Sequence, residues 1–210
     1  MGEKTWRAPG PLLDGLRVRR IRDAFWREDD PAEPLGVYGA SKLAGENAII
    51  ATGGPGLIPR ISWVYSATSA CFLTTMLKLG AERPALSIGN DQIGAPTPAH
   101  WLATMTAQIL MGGNSAFDDT PQRYHIALAG TCSWFDFADA IFTNARIFGL
   151  PLALETLAPI PSKDYPAPAK RPLNSRLDMT KFATRFSVAI ENWPVLLDEI
   201  FKDEILGDRA

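Results

Sequence analysis

Polar and apolar positions alternate between two textures along this chain. The first thirty residues follow neither a helical nor a strand period, and carry a cluster of arginines at Arg17, Arg19, Arg20 and Arg22. The loop Asp29-Asp30-Pro31-Ala32-Glu33-Pro34 then leads into Tyr38–Ala51, a run of good helix formers stopped by Gly53-Gly54-Pro55-Gly56. Leu57–Tyr65 is short, apolar and β-branched, the pattern of a buried strand. Ser69–Glu82 reads as a helix with Phe72, Met76 and Leu79 on one face, and Pro84–Ile88 as a short strand. Pro98–Met111 reads as a third helix, with Thr97 as cap and Pro98 in its first position. Tyr124–Ala129 reads as a strand, and Ser133–Phe148 as a helix capped by Ser133 and closed by Gly149.

Beyond Gly149 the pattern breaks. Pro151, Pro159, Pro161, Pro166, Pro168 and Pro172 punctuate an irregular stretch, and two helices follow near Asp178–Phe186 and Trp193–Leu206. Strands alternating with helices predict an α/β fold with parallel pairing. The proline-rich tail predicts a small appended lobe.

Composition narrows the classes. The chain has 210 residues, 46% of them hydrophobic, enough for one good core and too few for two full ones. Lys and Arg number 21 against 23 Asp and Glu, so no basic footprint for nucleic acid stands out. Two cysteines, Cys71 and Cys132, exclude a disulfide scaffold and a four-thiolate zinc site. No apolar run reaches the ~18 residues of a membrane span. The expectation is a cytoplasmic protein with reduced thiols and no membrane or nucleic-acid partner.

Tyr38 and Lys42 form the sharpest chemical pair. Four residues apart on a helix, they share a face. A cation beside a phenol favours the phenolate, and a tyrosine tuned in this way can give a proton to a carbonyl oxygen as hydride reaches the carbon. The pair alone is a short motif that also arises by accident. His125, mid-strand, reads as a structural histidine. His100 has no evident partner.

The surroundings are more specific. Pro34-Leu35-Gly36-Val37-Tyr38-Gly39-Ala40-Ser41-Lys42-Leu43-Ala44-Gly45-Glu46 resembles the active-site helix of extended short-chain dehydrogenases, and more narrowly the dTDP-4-dehydrorhamnose reductase family. Four further segments fit that family in order: Arg60-Ile61-Ser62-Trp63-Val64-Tyr65, Asp91-Gln92-Ile93-Gly94-Ala95-Pro96-Thr97, Tyr124-His125-Ile126-Ala127, and Arg171-Pro172-Leu173-Asn174-Ser175. The resemblance implies the C-terminal part of a Rossmann-like, doubly wound parallel sheet with a small substrate-binding lobe. It also implies reduction of dTDP-4-dehydro-6-deoxy-L-mannose to dTDP-L-rhamnose with NADPH or NADH. In that scheme Tyr38 is the proton donor to the C4 oxygen. Lys42 holds the nicotinamide ribose, and Ser62 joins them at the cofactor. Trp63, Asp91, Gln92, Thr97, Arg171, Asn174 and Ser175 fall to the sugar nucleotide. The family also allows a Mg2+ ion and a homodimer.

One part of the family pattern is missing. Such enzymes open with a strand, a Gly-rich turn and a helix that grips the dinucleotide, and no such turn precedes Tyr38. Nor is there the family's Ser-Thr-Asp-Tyr-Val-Phe-Asp-Gly segment, which supplies a further catalytic hydroxyl. Permitted codons for Leu12–Ile21, read one base later, encode Tyr-Ser-Thr-Asp-Tyr-Val-Phe-Asp-Gly. The expected organisation is therefore a disordered or frame-shifted, non-family segment at 1–26, a partial Rossmann-like domain with the catalytic helix at 27–150, and a sugar-nucleotide lobe at 151–210. The isolated chain is expected to be inactive as a reductase. The alternatives are a non-catalytic or regulatory homologue that binds a sugar nucleotide, and a pseudogene fragment.

Overall fold

The structure is a computed structural model that describes residues 24–112, 117–164 and 171–205. The frame-shift reading of Leu12–Ile21 lies outside these residues. In chain order the elements are α1 (Val37–Ala51), β1 (Leu57–Ile61), β2 (Val64–Tyr65), α2 (Phe72–Glu82), β3 (Ala85–Gly89), β4 (Ile93–Gly94), β5 (Thr97–Pro98), α3 (Ala99–Met111), β6 (Gln122–Ile126), β7 (Cys132–Ser133), α4 (Trp134–Ile147), β8 (Thr156–Ile160), α5 (Thr180–Phe186) and α6 (Trp193–Ile200). A 3-10 turn at Ser162–Asp164 and a π turn at Phe201–Ile205 complete them.

Three pairings are parallel: β1 with β6, β2 with β5, and β3 with β8; β4 and β7 pair antiparallel. This is the expected α/β class. Two departures have clear causes. The strand expected over Leu57–Tyr65 is split, because Trp63 takes a left-handed backbone with φ of 43°. The stretch beyond Gly149 contains β8, hidden from a pattern reading by Pro159. Proline lacks the N–H that a central strand must donate, and among the described residues β8 pairs only with β3, where such a residue is tolerated.

Helix α4 follows its sequence signals. Ser133 Oγ accepts from the Asp136 N–H at 3.0 Å, and Asp136 Oδ2 accepts from the Ser133 N–H at 2.8 Å. This reciprocal capping box satisfies two orphan donors. Gly149, with φ of +68°, closes the helix in the left-handed region. Helix α3 differs from expectation: Pro98 is its cap, and Thr97 belongs to β5.

Most buried apolar residues form one cluster, and Trp26, Ala127 and Leu177 form a second, smaller one. Phe72, Leu73 and Met76 of α2 and Phe137, Ile141 and Phe142 of α4 pack in one cluster with Leu154, Phe182, Leu196, Leu197, Ile200 and Phe201. Residues after 150 thus share the core of the preceding strands and helices. A segment of this size is marginal as a core of its own, and here it packs into the common one. The packed chain also includes Trp26, one residue before the boundary expected at Arg27. Its N–H donates to Arg176 O at 2.8 Å, and its carbonyl accepts from Asp178 N at 2.7 Å.

Candidate active site

Helix α1 and strand β1 are joined by residues 52–56, so the helix runs back along the strand. Their contact is polar. Arg60 reaches Glu46 through two hydrogen bonds, of 2.9 and 2.7 Å, and Arg123 of β6 adds a third at 2.8 Å. Burial works to raise the Glu46 pKa, but the two guanidiniums outweigh it and hold the carboxyl below its usual value of 4.5. Eight residues earlier on α1, about 12 Å along the axis, stands Tyr38. This places Tyr38 towards the C-terminal end of β1, the end at which open α/β sheets bind ligands.

Tyr38 is 48% exposed. Lys42 is also exposed, and its Nζ lies 5.3 Å from the centre of the Tyr38 ring. The ammonium thus faces the Tyr38 ring as a cation–π contact, on a solvent-exposed part of α1.

At the end of β1 the structure gathers several of the other expected residues. Ser62 Oγ donates to Ser175 O at 3.3 Å. Ser175 N donates to Ile93 O at 2.7 Å, and Ile93 N to Leu173 O at 2.8 Å. Asn174 donates through Nδ2 to Ala24 O at 2.9 Å, and its Oδ1 accepts from Arg176 Nε at 2.8 Å. Gln92 and Arg171 are half-buried on the same two segments.

Four expected site residues are packed inside. Ser62, Trp63, Thr97 and Ser175 are all buried. Thr97 Oγ1 donates to Ala95 O at 3.2 Å and accepts from Leu128 N at 3.3 Å, so its hydroxyl is occupied by backbone. The Trp63 ring stacks on Trp134 with centroids 3.6 Å apart and planes 6° from parallel. Gly94 lies against the ring: a Cβ there would come within 2.6 Å of Trp63 Nε1. Trp63, expected at the sugar nucleotide, is thus seated as a core ring between Trp134 and Gly94. Asp91 is likewise engaged, by Ser162.

Sequence reasoning missed the partners. Trp134, which supports Trp63, carried no motif of its own. His100, for which the sequence shows no partner, places Nδ1 2.9 Å from Glu204 Oε1. His125 is fully buried on β6, and its backbone N–H donates to Glu28 Oε1 at 2.9 Å. Burial pushes its imidazole below the ordinary 6.5, with Glu28 opposing that shift. Both cysteines are free and buried, and burial pushes the Cys132 thiol up, away from reactivity.

Among the described residues, no three His, Cys, Asp or Glu side chains form a group that could hold a metal ion. No helix among them is long and apolar enough to cross a membrane. For a nicotinamide cofactor the fit is partial. Tyr38 and Lys42 present a hydroxyl and a cation suited to a ribose, while a Gly-rich strand–turn–helix is absent from the sequence before α1.

A Tyr-x-x-x-Lys helix beside parallel strand pairs, with the Tyr–Lys pair towards the carboxyl end of a strand, is the arrangement of a Rossmann-like α/β protein. The comparisons narrow this to one family. The sequence profile described as RmlD substrate binding domain matches residues 14–205, and the chain belongs to that family. It is 43% identical over 183 residues to the dTDP-4-dehydrorhamnose reductase of Escherichia coli K12, covering 85% of this chain and 61% of that protein. The corresponding protein of Burkholderia thailandensis is 43% identical over 171 residues, 79% of this chain and 57% of its own. Among solved structures, the dTDP-4-dehydrorhamnose reductase of Bacillus anthracis in complex with NADP aligns with a TM-score of 0.75 at 28% identity. That alignment covers 87% of this chain and 60% of the other. The ortholog from Clostridium acetobutylicum gives 0.74 at 28% identity, covering 91% and 62%. The chain thus spans about three fifths of the length of the relatives it matches.

Proposed function

We propose that this chain carries the proton-donating helix and the sugar-nucleotide side of a reductase that converts dTDP-4-dehydro-6-deoxy-L-mannose to dTDP-L-rhamnose. The observation that carries the reading is the exposed Tyr38–Lys42 pair at the end of β1, in a chain 43% identical to dTDP-4-dehydrorhamnose reductases. When bound, NADPH or NADH supplies hydride to C4 of the keto-sugar. Tyr38 Oη gives its proton to the C4 oxygen as that oxygen gains charge. Lys42 stabilises the phenolate left behind and binds the nicotinamide ribose. On the sugar-nucleotide side, Arg171 suits a phosphate through its planar fork, and Gln92 and Asn174 supply amides for hydroxyls or the base. Ser62, Thr97 and Ser175 act from inside by fixing the backbone that presents these groups, and Trp63 forms the floor beneath them.

Within this chain Tyr38 and Lys42 are the groups that meet the nicotinamide end of the dinucleotide. The test joins the chain to the N-terminal dinucleotide-binding half of the Escherichia coli relative and follows NADPH oxidation with the dTDP-keto-sugar. The fusion is active, and Tyr38→Phe lowers its kcat by about 10²–10⁴-fold. A fusion that folds, binds NADPH and turns over equally well with Phe at 38 contradicts the assignment.

A further inference from the structure

The segment linking β3 to β4 holds more of the molecule than its length suggests. Asn90 N donates to Ile160 O at 3.0 Å, at the end of β8. Next to it, both carboxylate oxygens of Asp91 are taken by one residue. The Ser162 N–H lies 3.0 Å from Oδ1 and 2.9 Å from Oδ2, and Ser162 Oγ donates to Oδ2 at 2.8 Å. Two residues further on, Ile93 N donates to Leu173 O, and Ile93 O accepts from Ser175 N, with Ile93 bridged to Asn174. One turn therefore pins the chain at 160–162 and again at 173–175. Between these anchors the sequence carries Arg171, and the second anchor carries Asn174 and Ser175.

From this geometry we propose that Asp91 is a positioning residue for the sugar-nucleotide site, acting through Ser162 and not touching the ligand. The inference rests on the sugar-nucleotide reading above. Two physical arguments separate it from direct contact. The carboxylate already accepts hydrogen bonds on both oxygens, so turning to a ligand would strand the Ser162 N–H and hydroxyl. An anionic group facing the diphosphate of a sugar nucleotide would also repel it. The charge has a use where it stands, because hydrogen bonds to a carboxylate are stronger than those to a neutral acceptor. Ser162 therefore receives a firmer anchor than an amide or hydroxyl would give.

The test is a double-mutant cycle on the intact chain, with dTDP as ligand in calorimetry and amide hydrogen exchange in the ligand-free protein. Asp91→Ala weakens dTDP binding about tenfold, and Ser162→Ala weakens it about threefold by removing one of the three hydrogen-bond contacts. The double variant binds like Asp91→Ala alone. Asp91→Asn, which keeps an acceptor for the Ser162 N–H, restores binding to within about threefold of wild type. Without ligand, Asp91→Ala speeds exchange at Ser162 and at Ser175. Multiplicative losses in the double variant, or an Asp91→Ala loss with Ser162→Ala unaffected, would overturn the proposal in favour of direct contact. If the wild-type chain binds no dTDP, the sugar-nucleotide reading is what fails. The exchange data still decide the anchor, because unchanged exchange at both serines in Asp91→Ala refutes it.

Discussion

Helices α1 and α4 are nearly equal in length, 15 and 14 residues, yet they are built for opposite purposes. Six residues of α4 are buried, and Phe137, Ala138, Ile141, Phe142 and Ala145 have no exposed surface at all. Phe137 alone meets Tyr65, Phe72, Trp134 and Trp193. Helix α1 buries only Gly39 and Glu46, and displays Val37, Tyr38 and Ile49. One helix holds the fold together through apolar packing. The other is fixed at one end by a buried ion pair and presents its Tyr–Lys end outward. The contrast teaches that α1 gains its orientation from a few directed polar contacts, so that its outer face stays open to solvent.

The comparison breaks most readily on the α4 side. Phe137→Ala should destabilise the chain by about 4 kcal/mol in urea unfolding, the cost of an unfilled aromatic cavity. A loss below about 1 kcal/mol would show that this core is loosely packed. Arg60→Ala should cost about 3 kcal/mol, because it strips the bidentate partner from a buried carboxylate, although Arg123 remains. Gly94→Ala should cost about 2 kcal/mol, since the new methyl has no room beside the Trp63 ring. The loss should be accompanied by a change in tryptophan fluorescence as the Trp63–Trp134 stack is pushed apart.

The pH response is smaller. Burial lowers the His125 pKa below 6.5, so the unfolded chain binds a proton there more readily than the folded one. The stability from a neutral His125 is complete above 6.5 and is lost as pH falls towards the folded value. Glu46 adds a second decline, which begins only near 4.5, because its folded pKa is also lowered. Unfolding midpoints measured from pH 8 to 5 should fall below about 6.5, and His125→Gln should flatten that slope. The smallest effect on stability belongs to Tyr38→Phe, within about 0.5 kcal/mol at an exposed site. That insensitivity, beside a large loss of turnover in the fused enzyme, sharpens the distinction between the two helices.

Local signals were legible wherever a residue acts on its neighbours in sequence. Ser133, Asp136 and Gly149 state the limits of α4, and Tyr38 and Lys42 state their shared face through spacing alone. What the sequence hides is contact between distant residues. Asp91 reads as a loop carboxylate until Ser162, 71 positions away, takes both its oxygens. Trp63 reads as a ligand-facing ring until Trp134 and Gly94 cover it. Thr97 reads as a helix cap until the Leu128 N–H claims its hydroxyl. Strand β8 was hidden because proline count outweighs pairing in a pattern reading, whereas a strand paired with a single neighbour accommodates Pro159.

The central proposal is that these residues hold the sugar-nucleotide side and the Tyr–Lys pair that meets the nicotinamide ribose, while a Gly-rich grip on the pyrophosphate is not among them. Calorimetric titration of the intact chain with dTDP and, separately, with NADPH tests this directly. The account predicts saturable heat with dTDP, reduced by Arg171→Ala, and none with NADPH. Tight NADPH binding without dTDP binding would contradict it.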